Sequence, residues 1–365
     1  MDAVAHFSQS YAEARAKFLA AARVRQLGVE SHALAGYHGI DGEALAIDVA
    51  LLGAPDAKGL LVLTSATHGI EGYCGSGVQI GLLQDAGFVR AIRDAGAAVL
   101  FVHAVNPYGF SHGRRVNEDN VDLNRNFRDF HVPPPPNAAY AAVHPLLIPA
   151  TWPPPAENEA KIATFIATHG ERTYQAAVSG GQCEFPDGMF YGGAVASWSN
   201  VVLRAVLRRH GAARARLAWI DFHTGLGPRG HGEKIYAGRN LDADLARTRA
   251  WWGADVTAYQ DGSSSSAPLT GVMYNAAYDE CPGMEYAGIA LEYGTLPLRE
   301  VFQALRADHW LHNHPEASAE QRAAIRLQMR DAFYGDAADW KEQVYAQAHD
   351  AVMKALAHLA PHFQS

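Results

Sequence analysis

Residues 59–72 read Gly-Leu-Leu-Val-Leu-Thr-Ser-Ala-Thr-His-Gly-Ile-Glu-Gly, an apolar run that ends in a polar turn between glycines. An apolar run of this length is typical of a strand buried on both faces of a sheet. His68 and Glu71 follow the strand, and glycine lets the backbone turn tightly there. A His and a Glu at this spacing can face one metal ion. Taken alone, a capped turn explains the same residues.

Two later strand ends carry chemistry of the same kind. Residues 218–225 run from an apolar segment through His223 into a glycine turn, and residues 290–295 place Glu292 where another apolar segment ends. Two ligands close in sequence and a distant third are typical of a catalytic zinc that leaves one position open for water. Glu292 is then a candidate general base, although on its own it also fits a helix cap.

The remaining pattern alternates buried strands with helices. Apolar segments at 44–52 and 98–105 predict strands, and helical spacing occurs at 10–25, 75–86, 157–168, 198–209 and 241–252. This alternation predicts an α/β fold with helices on both faces of the sheet. We interpret residues 1–365 as a single domain, with a mostly helical flank at 298–365. Proline-rich stretches at 133–136 and 153–155 predict a long surface loop rather than a domain boundary.

Composition excludes several classes of function. The 365 residues carry a net charge of −8, which argues against a nucleic-acid partner, and no apolar run is long enough to span a membrane. The first residues show no secretory signal. The three cysteines are widely spaced and form no C-x-x-C pair, which excludes a disulfide scaffold. We therefore expect a cytoplasmic protein, and the sequence leaves its oligomeric state open.

Three other motifs permit more than one interpretation. Residues 225–230 match G-x-G-x-x-G, but an extended segment rather than a helix follows them, which disfavours a dinucleotide site. His309, His312 and His314 suggest either a polar helix end or a second metal site. Residues 263–266 are serines that predict a flexible loop over the site, and residues 180–193 predict either a pocket wall or a structural turn.

Between the first two strand ends lie Asn-Pro-Tyr-Gly-Phe at 106–110, Arg-Val-Asn at 115–117 and Asp-Leu-Asn-Arg-Asn-Phe at 122–127. Together with H-x-x-E and the later His and Glu, this order resembles the zinc carboxypeptidase family and its succinylglutamate desuccinylase/aspartoacylase-like relatives. More narrowly, it is similar to a bacterial branch known mainly as a domain of unknown function. The matching motifs extend from about His68 to Glu292, with catalytic motifs within 60–300. The resemblance implies a zinc carboxypeptidase-like fold with a mixed central sheet.

The resemblance also implies one Zn²⁺ per chain and a general base. The implied zinc ligands are His68, Glu71 and His223, and the implied base is Glu292. Arg115 matches the arginine that stabilises the oxyanion, because it stands two residues before Asn117, whereas Arg114 is the alternative register.

Four further residues acquire roles from the same resemblance. Asn124 and Arg125 match the pair that binds a terminal carboxylate, and Asp122 matches the acid that orients the first zinc histidine. Tyr274 matches the mobile tyrosine that contacts substrate. These roles imply a small peptide or an N-acyl amino acid as substrate.

The function implied is a zinc-dependent hydrolase that cleaves an amide bond next to a carboxylate-bearing group, as a metallocarboxypeptidase does. Two departures favour an N-acyl amino acid deacylase as the alternative. Tyr108 replaces an acid of the family's N-P-x-G motif, and residues 221–224 read Asp-Phe-His-Thr, as in the deacylase relatives. A second alternative is a non-catalytic protein that binds zinc or peptide.

Overall fold

The computed structural model describes residues 3–360 and contains one seven-stranded sheet. The strands are β1 (Val29–His38), β2 (Ala44–Gly53), β3 (Gly59–Thr64), β4 (Ala98–His103), β5 (Arg216–Arg229), β6 (Gly232–Tyr236) and β7 (Glu285–Gly294). Their spatial order is β1-β2-β4-β3-β5-β7-β6. The four central strands β4, β3, β5 and β7 are parallel, whereas β1, β2 and β6 pair antiparallel at the edges. The mixed sheet predicted from the motifs is confirmed.

The helices lie on both faces of this sheet. They are α1 (Tyr11–Val24), α2 (Gly72–Gln84), α3 (Ala86–Asp94), α4 (Pro107–His112), α5 (Ala138–Leu147), α6 (Ala156–His169), α7 (Glu171–Ser179), α8 (Trp198–Gly211), α9 (Asp242–Trp252), α10 (Asn275–Glu280), α11 (Leu298–Asn313), α12 (Ala319–Phe333) and α13 (Ala338–Leu359). Short 3₁₀ turns occur at Ala3–His6, Gly69–Glu71, Leu123–Arg125 and Tyr259–Asp261. The flank predicted after residue 297 consists of α11, α12 and α13.

The alternation of side chains along β3 explains why both faces are covered. Leu61 and Leu63 pack into a core shared with α1, α2 and α13, whereas Leu60 and Val62 pack into a second core with α8 and α10. Successive side chains of a strand point to opposite faces, so an unbroken apolar run needs a helical layer on each side. All six residues of β3 are buried.

Several local predictions need adjustment. The stretch expected to be a long surface loop between 133 and 155 contains helix α5, which begins after Asn137, whose side chain accepts a hydrogen bond from the Tyr140 amide. The glycine-rich residues 225–230 lie at the end of β5 and lead directly into β6, so no helix opens there to bind a dinucleotide. Within residues 3–360, no helix combines the length and apolarity required to cross a bilayer.

The fully buried His103, at the end of β4, makes a prediction about stability. Its Nε2 lies 2.8 Å from the Ser76 hydroxyl, its ring stacks on Phe18, and burial lowers its pKa from 6.5 to about 4. Between these pH values the unfolded chain binds the proton and the folded chain does not, so stability falls as the pH drops through this window. At 1.36 kcal/mol per pKa unit, the loss reaches roughly 3 kcal/mol by pH 4.

We expect His103→Gln to remove this part of the pH dependence. Urea unfolding at pH 7 and pH 4 should show the stability gap between wild type and variant narrowing by about 3 kcal/mol as the pH falls. His131→Gln, which changes an exposed histidine, is the matched control and should leave the pH dependence of wild type intact. If the difference in stability between wild type and His103→Gln is the same at pH 7 and pH 4, the pH dependence of stability does not come from His103.

Candidate active site

Three parallel strands bring their carboxyl ends to one edge of the sheet, where a cavity of about 140 Å³ opens. His68 and Glu71 follow β3, His223 lies in β5, and Glu292 lies in β7 directly opposite His223 in the strand register. All four side chains line the cavity and each is at most 8% exposed. Residues that are far apart in sequence therefore meet because their strands are parallel and adjacent.

The Glu71 carboxylate lies between the two histidines. His68 Nδ1 is 2.8 Å from Glu71 Oε1, His223 Nδ1 is 2.9 Å from Glu71 Oε2, and the two Nδ1 atoms are 3.2 Å apart. Burial by itself raises the pKa of Glu71, but the charges and hydrogen bonds of His68 and His223 outweigh it, so the pKa lies below its usual range. Glu71 is therefore ionised, as a metal ligand must be.

The turn that carries these ligands packs backbone against backbone. The amides of Gly69 and Ile70 donate hydrogen bonds to the carbonyls of Arg115 and Arg114. A Cβ at Gly69 would come within 2.0 Å of the Gly109 carbonyl carbon, so only glycine fits this approach. This contact joins the H-x-x-E turn to the N-P-x-G segment. A Cβ at Gly109 would in turn meet Asn106 Nδ2 and the carbonyl oxygen of Val116, so the second motif needs its glycine for a separate reason.

Two carboxylates hold the histidine nitrogens that face away from Glu71. Asp122 Oδ1 lies 3.4 Å from His68 Nε2, and Asp221 Oδ2 lies 2.6 Å from His223 Nε2. Asp221 also accepts hydrogen bonds from the hydroxyls of Thr64 and Thr67. Carboxylates placed in this way fix the orientation of ligand histidines. The role of Asp221 was not predicted, although an acid two residues before a strand-end histidine is its signal in the sequence.

Arg115, and not Arg114, reaches the cavity. Its Nη1 donates to Glu71 Oε1 at 3.2 Å, its Nη2 to His68 Nε2 at 2.7 Å, and its Nε to Asp122 Oδ2 at 3.0 Å. The Arg114 side chain turns the other way and pairs with Asp308. Of the two registers considered from the sequence, the structure places the Arg115 register at the site.

The pKa of the Glu292 carboxyl is raised, whereas that of Glu71 is lowered. Burial raises its pKa to about 8, and the neighbouring negative charge of Glu71 adds to the shift, although the Leu226 amide donates to its Oε1 at 3.0 Å. Buried carboxyls with raised pKa values are suited to taking up and releasing protons near neutral pH. One cavity therefore holds two glutamates whose pKa values are shifted in opposite directions.

Asn124 and Arg125 form another wall of the cavity. Arg125 is 4% exposed, its guanidinium donates to the carbonyls of Ser179 and Asn124, and burial lowers its pKa to about 10. Asn124 Oδ1 accepts a hydrogen bond from the Met273 amide at 2.8 Å. Phe190 faces the guanidiniums of Arg115 and Arg125, with its ring centre 5.0 and 5.5 Å away, so it belongs to the pocket wall suspected at 180–193.

Four tyrosines line the cavity: Tyr236, Tyr259, Tyr274 and Tyr286. Tyr274 is half-buried at the start of α10, where it packs against the second core, whereas Tyr259 is 39% exposed. Tyr259 was not predicted as a site residue. Its signal is its place directly before the turn formers Asp261 and Gly262 and the serine-rich residues 263–266.

The three C-terminal histidines do not converge. His309 Nδ1 donates to the Leu305 carbonyl, His314 Nδ1 to the Trp310 carbonyl, and His312 Nδ1 lies 3.0 Å from Arg114 Nη1. Among residues 3–360, the group of metal-binding side chains gathered closely enough to share an ion is His68, Glu71 and His223. The second metal considered from the sequence therefore has no site at these histidines.

The three gathered residues fit a zinc ion. Their ligand atoms lie within 4.8 Å of one another, and two imidazoles with one carboxylate are a donor set that zinc binds at catalytic sites. The carboxylates of Asp122 and Asp221 behind the two rings complete the arrangement found around ligand histidines. Buried negative charge at Glu71, Asp122 and Asp221 favours a cation at this point.

Comparison with solved structures identifies the fold. Carboxypeptidase A of Helicoverpa armigera matches with a TM-score of 0.53 and 12% identity, over 98% of this chain and 75% of the other. Bovine thrombin-activatable fibrinolysis inhibitor, solved with tick carboxypeptidase inhibitor, matches with a TM-score of 0.50 and 12% identity, over 97% and 98% of the two chains. At these identities the likeness shows a shared carboxypeptidase-like fold.

Sequence comparison gives the family. No curated protein sequence matches the chain. The family model described as "Protein of unknown function (DUF2817)" matches residues 7–347, which is most of the chain. This match agrees with the branch suggested by the motifs. The chain therefore belongs to the DUF2817 family and has a carboxypeptidase-like fold.

Proposed function

We propose that this protein is a zinc-dependent hydrolase that cleaves an amide bond next to a carboxylate-bearing group. One observation carries the proposal: His68, Glu71 and His223 share a cavity with a buried carboxyl of raised pKa and with two arginines. A metal-binding group, a proton carrier and anion-binding groups are the parts that amide hydrolysis at a metal requires.

His68, Glu71 and His223 would hold the zinc. A bound zinc supplies a Lewis acid that polarises the substrate carbonyl and acidifies a water molecule. His68 must then present an unprotonated Nδ1, which requires its proton on Nε2. Asp122 Oδ1 can accept a hydrogen bond from that Nε2–H, whereas the Arg115 guanidinium, a donor 2.7 Å from Nε2, would have to turn away from that atom.

Glu292 moves the proton. Its carboxylate takes a proton from the attacking water and later delivers it to the departing amine, so the same oxygen atoms act first as base and then as acid. The Leu226 amide holds Glu292 Oε1 in place at 3.0 Å. The Arg115 guanidinium lines the same cavity and would stabilise the negative charge that develops on the carbonyl oxygen.

Asn124 and Arg125 would bind the carboxylate of the substrate. A guanidinium that is almost fully buried forms strong, charge-assisted hydrogen bonds with a carboxylate, because little water competes. Much of the other lining is apolar, including Leu298, Val301 and Leu305 of α11. The proposed substrate is therefore a small peptide or an N-acyl amino acid whose remaining groups are largely apolar.

N-acyl amino acid deacylation is the second candidate. The Asp221–His223 hydrogen bond gives a structural role to the Asp-Phe-His-Thr sequence that resembles the deacylase relatives. Tyr108, the other departure, does not line the metal cavity and instead stacks on His112, so it carries no argument for either substrate. Turnover measured on matched short peptides and N-acyl amino acids separates the two activities. Binding of these compounds with no hydrolysis would favour the non-catalytic alternative.

Metal content is the first test. Elemental analysis of purified protein should find about one zinc per chain, and His68→Ala should lose it, because removal of one of three ligands opens the site. His314→Ala is the matched control and should keep the metal, because His314 bonds its own helix. Absence of metal from wild type, with no uptake on addition of zinc, would contradict the proposal.

Glu292→Gln should abolish turnover and leave zinc bound. The amide keeps the shape of the side chain but cannot carry the proton, and we expect a loss of at least about 10²-fold in kcat. Glu285→Gln makes the same change at the exposed beginning of β7 and should retain activity. A Glu292→Gln variant with undiminished turnover would remove Glu292 from the mechanism.

Arg125→Gln should weaken the recognition of substrates with a free carboxylate. We expect kcat/KM to fall by about 10²-fold on these substrates, since a buried charge-assisted pair is lost, and to change little on the corresponding amidated compounds. Arg128→Gln, three residues along the same segment, serves as the control. Equal losses on free and amidated substrates would show that Arg125 does not read the carboxylate.

A further inference from the structure

A second cavity, of about 180 Å³, lies apart from the metal site. It is enclosed by α4, the end of α11 and the first half of α12, and no residue lines both cavities. The charged and polar side chains around it are Arg114, Arg322, Arg326, His112, His312, Asp308 and Tyr108. Three arginines and one acid around a single cavity leave an excess of positive charge.

The one acid is already engaged. Arg114 Nε lies 3.2 and 3.0 Å from the two oxygens of Asp308, and Arg114 Nη2 donates to the Asn120 side chain at 3.0 Å. Both members of this ion pair are buried, with Arg114 7% and Asp308 6% exposed. The pair is therefore electrically neutral, and it fixes one wall of the cavity.

Arg322 and Arg326 have no such compensation. Arg322 Nη2 donates to the carbonyls of Pro315 and Ala317, which are neutral groups. Among residues 3–360, no carboxylate lies within ion-pair distance of either guanidinium, and the guanidinium of the exposed Arg326 has no hydrogen-bond partner there. Partial burial and the charge of Arg322 lower the pKa of Arg326. Asp308 partly offsets the charge of Arg326, but neither of these two neighbouring cations has a carboxylate in contact with it.

His312 adds a neutral donor to this wall. Its Nδ1 accepts a hydrogen bond from Arg114 Nη1, so the ring proton is on Nε2. His312 is exposed on one side, but partial desolvation of its ring and the charge of Arg114 lower its pKa, which keeps the ring neutral near pH 7. With His312 neutral and Arg114 paired, Arg322 and Arg326 leave two positive charges that no carboxylate contacts.

We propose that this cavity is a binding site for a dianionic oxyanion, namely a phosphate group, either as free phosphate or as a phosphate monoester. Guanidinium groups match the oxygens of phosphate in pairs, and two arginines balance its two charges. The cavity has room for one tetrahedral anion with water. A metal cation is disfavoured, because the single carboxylate in the cavity already bonds Arg114.

The site is independent of the proposed hydrolase activity. Leu305 of α11 lines the cavity of the candidate zinc site, and Asp308 of the same helix lines the second cavity. These two residues are about 4.5 Å apart along the helix axis. Arg114 and Arg115 are adjacent in sequence but point into different cavities. Phosphate binding at the second cavity therefore needs neither zinc nor Glu292.

Isothermal titration calorimetry of the full chain with inorganic phosphate tests the proposal. We expect one phosphate per chain and a dissociation constant below about 1 mM, with Arg322→Gln and Arg326→Gln each weakening binding by at least about 10-fold. Arg93→Gln removes an exposed arginine elsewhere and should leave the affinity unchanged. Phosphate binding should also persist after removal of metal with a chelator, which distinguishes this site from the metal cavity.

Three results would overturn the proposal: no binding of phosphate, an affinity that Arg322→Gln and Arg326→Gln alter no more than Arg93→Gln does, or binding that disappears with the metal. Acetate at equal ionic strength should not bind, because a monoanion balances only half of the charge, and binding as tight as that of phosphate would also contradict the assignment. Phenyl phosphate separates the sources: tighter binding than phosphate indicates a monoester ligand, and weaker binding indicates free phosphate.

Discussion

The parallel pairing of β3, β5 and β7 is the constraint on which the site depends. The pairing of β5 with β3 extends as far as Asp221, and its regular pairing with β7 extends as far as Thr224. This register places His223 directly opposite Glu292. A shift of one residue in either ladder would turn His223 or Glu292 to the other face of the sheet. Parallel strands require covering on both faces, so the helical layers that bury β3 also hold this register.

Charge balance is the second requirement of the site. Glu71, Asp122 and Asp221 bring three buried carboxylates close together, and Arg115 and the two imidazoles compensate their negative charge. Buried charges without partners are costly, so such a cluster persists only where cations fill it. The resulting field keeps Glu71 ionised, whereas Glu292, with fewer partners, has a raised pKa. Two glutamates in one cavity thereby acquire opposite properties.

The segment after α4, with Arg114 and Arg115, lies between the two cavities and contributes one side chain to each. Its backbone carbonyls at Arg114 and Arg115 hold the turn that carries His68 and Glu71, so this segment supports the candidate zinc site directly. The two side chains then diverge, one toward Asp308 and the other toward Glu71. The sequence does not distinguish Arg114 from Arg115. In the structure, Arg114 forms an ion pair at the second cavity and Arg115 contacts Glu71 at the candidate zinc site.

The sequence by itself determined the strand ends and the chemical types placed on them. Apolar runs followed by His68, Glu71, His223 and Glu292 are local patterns, and the α/β class follows from their alternation with helical segments. The antiparallel edge strand β1 was not predicted, because its side chains are mostly exposed and leave no apolar run. Helix α5 was missed for a similar reason, since prolines on both sides of it suggested a loop.

Only the tertiary structure decided which polar groups meet. The choice between Arg114 and Arg115 and the separation of His309, His312 and His314 depend on side-chain direction and on packing between distant elements. The cavity between α4, α11 and α12 joins residues more than 200 positions apart. Local sequence patterns specify periodicity and residue chemistry, but the distances between such groups are set by strand register and helix packing, which act across the whole chain.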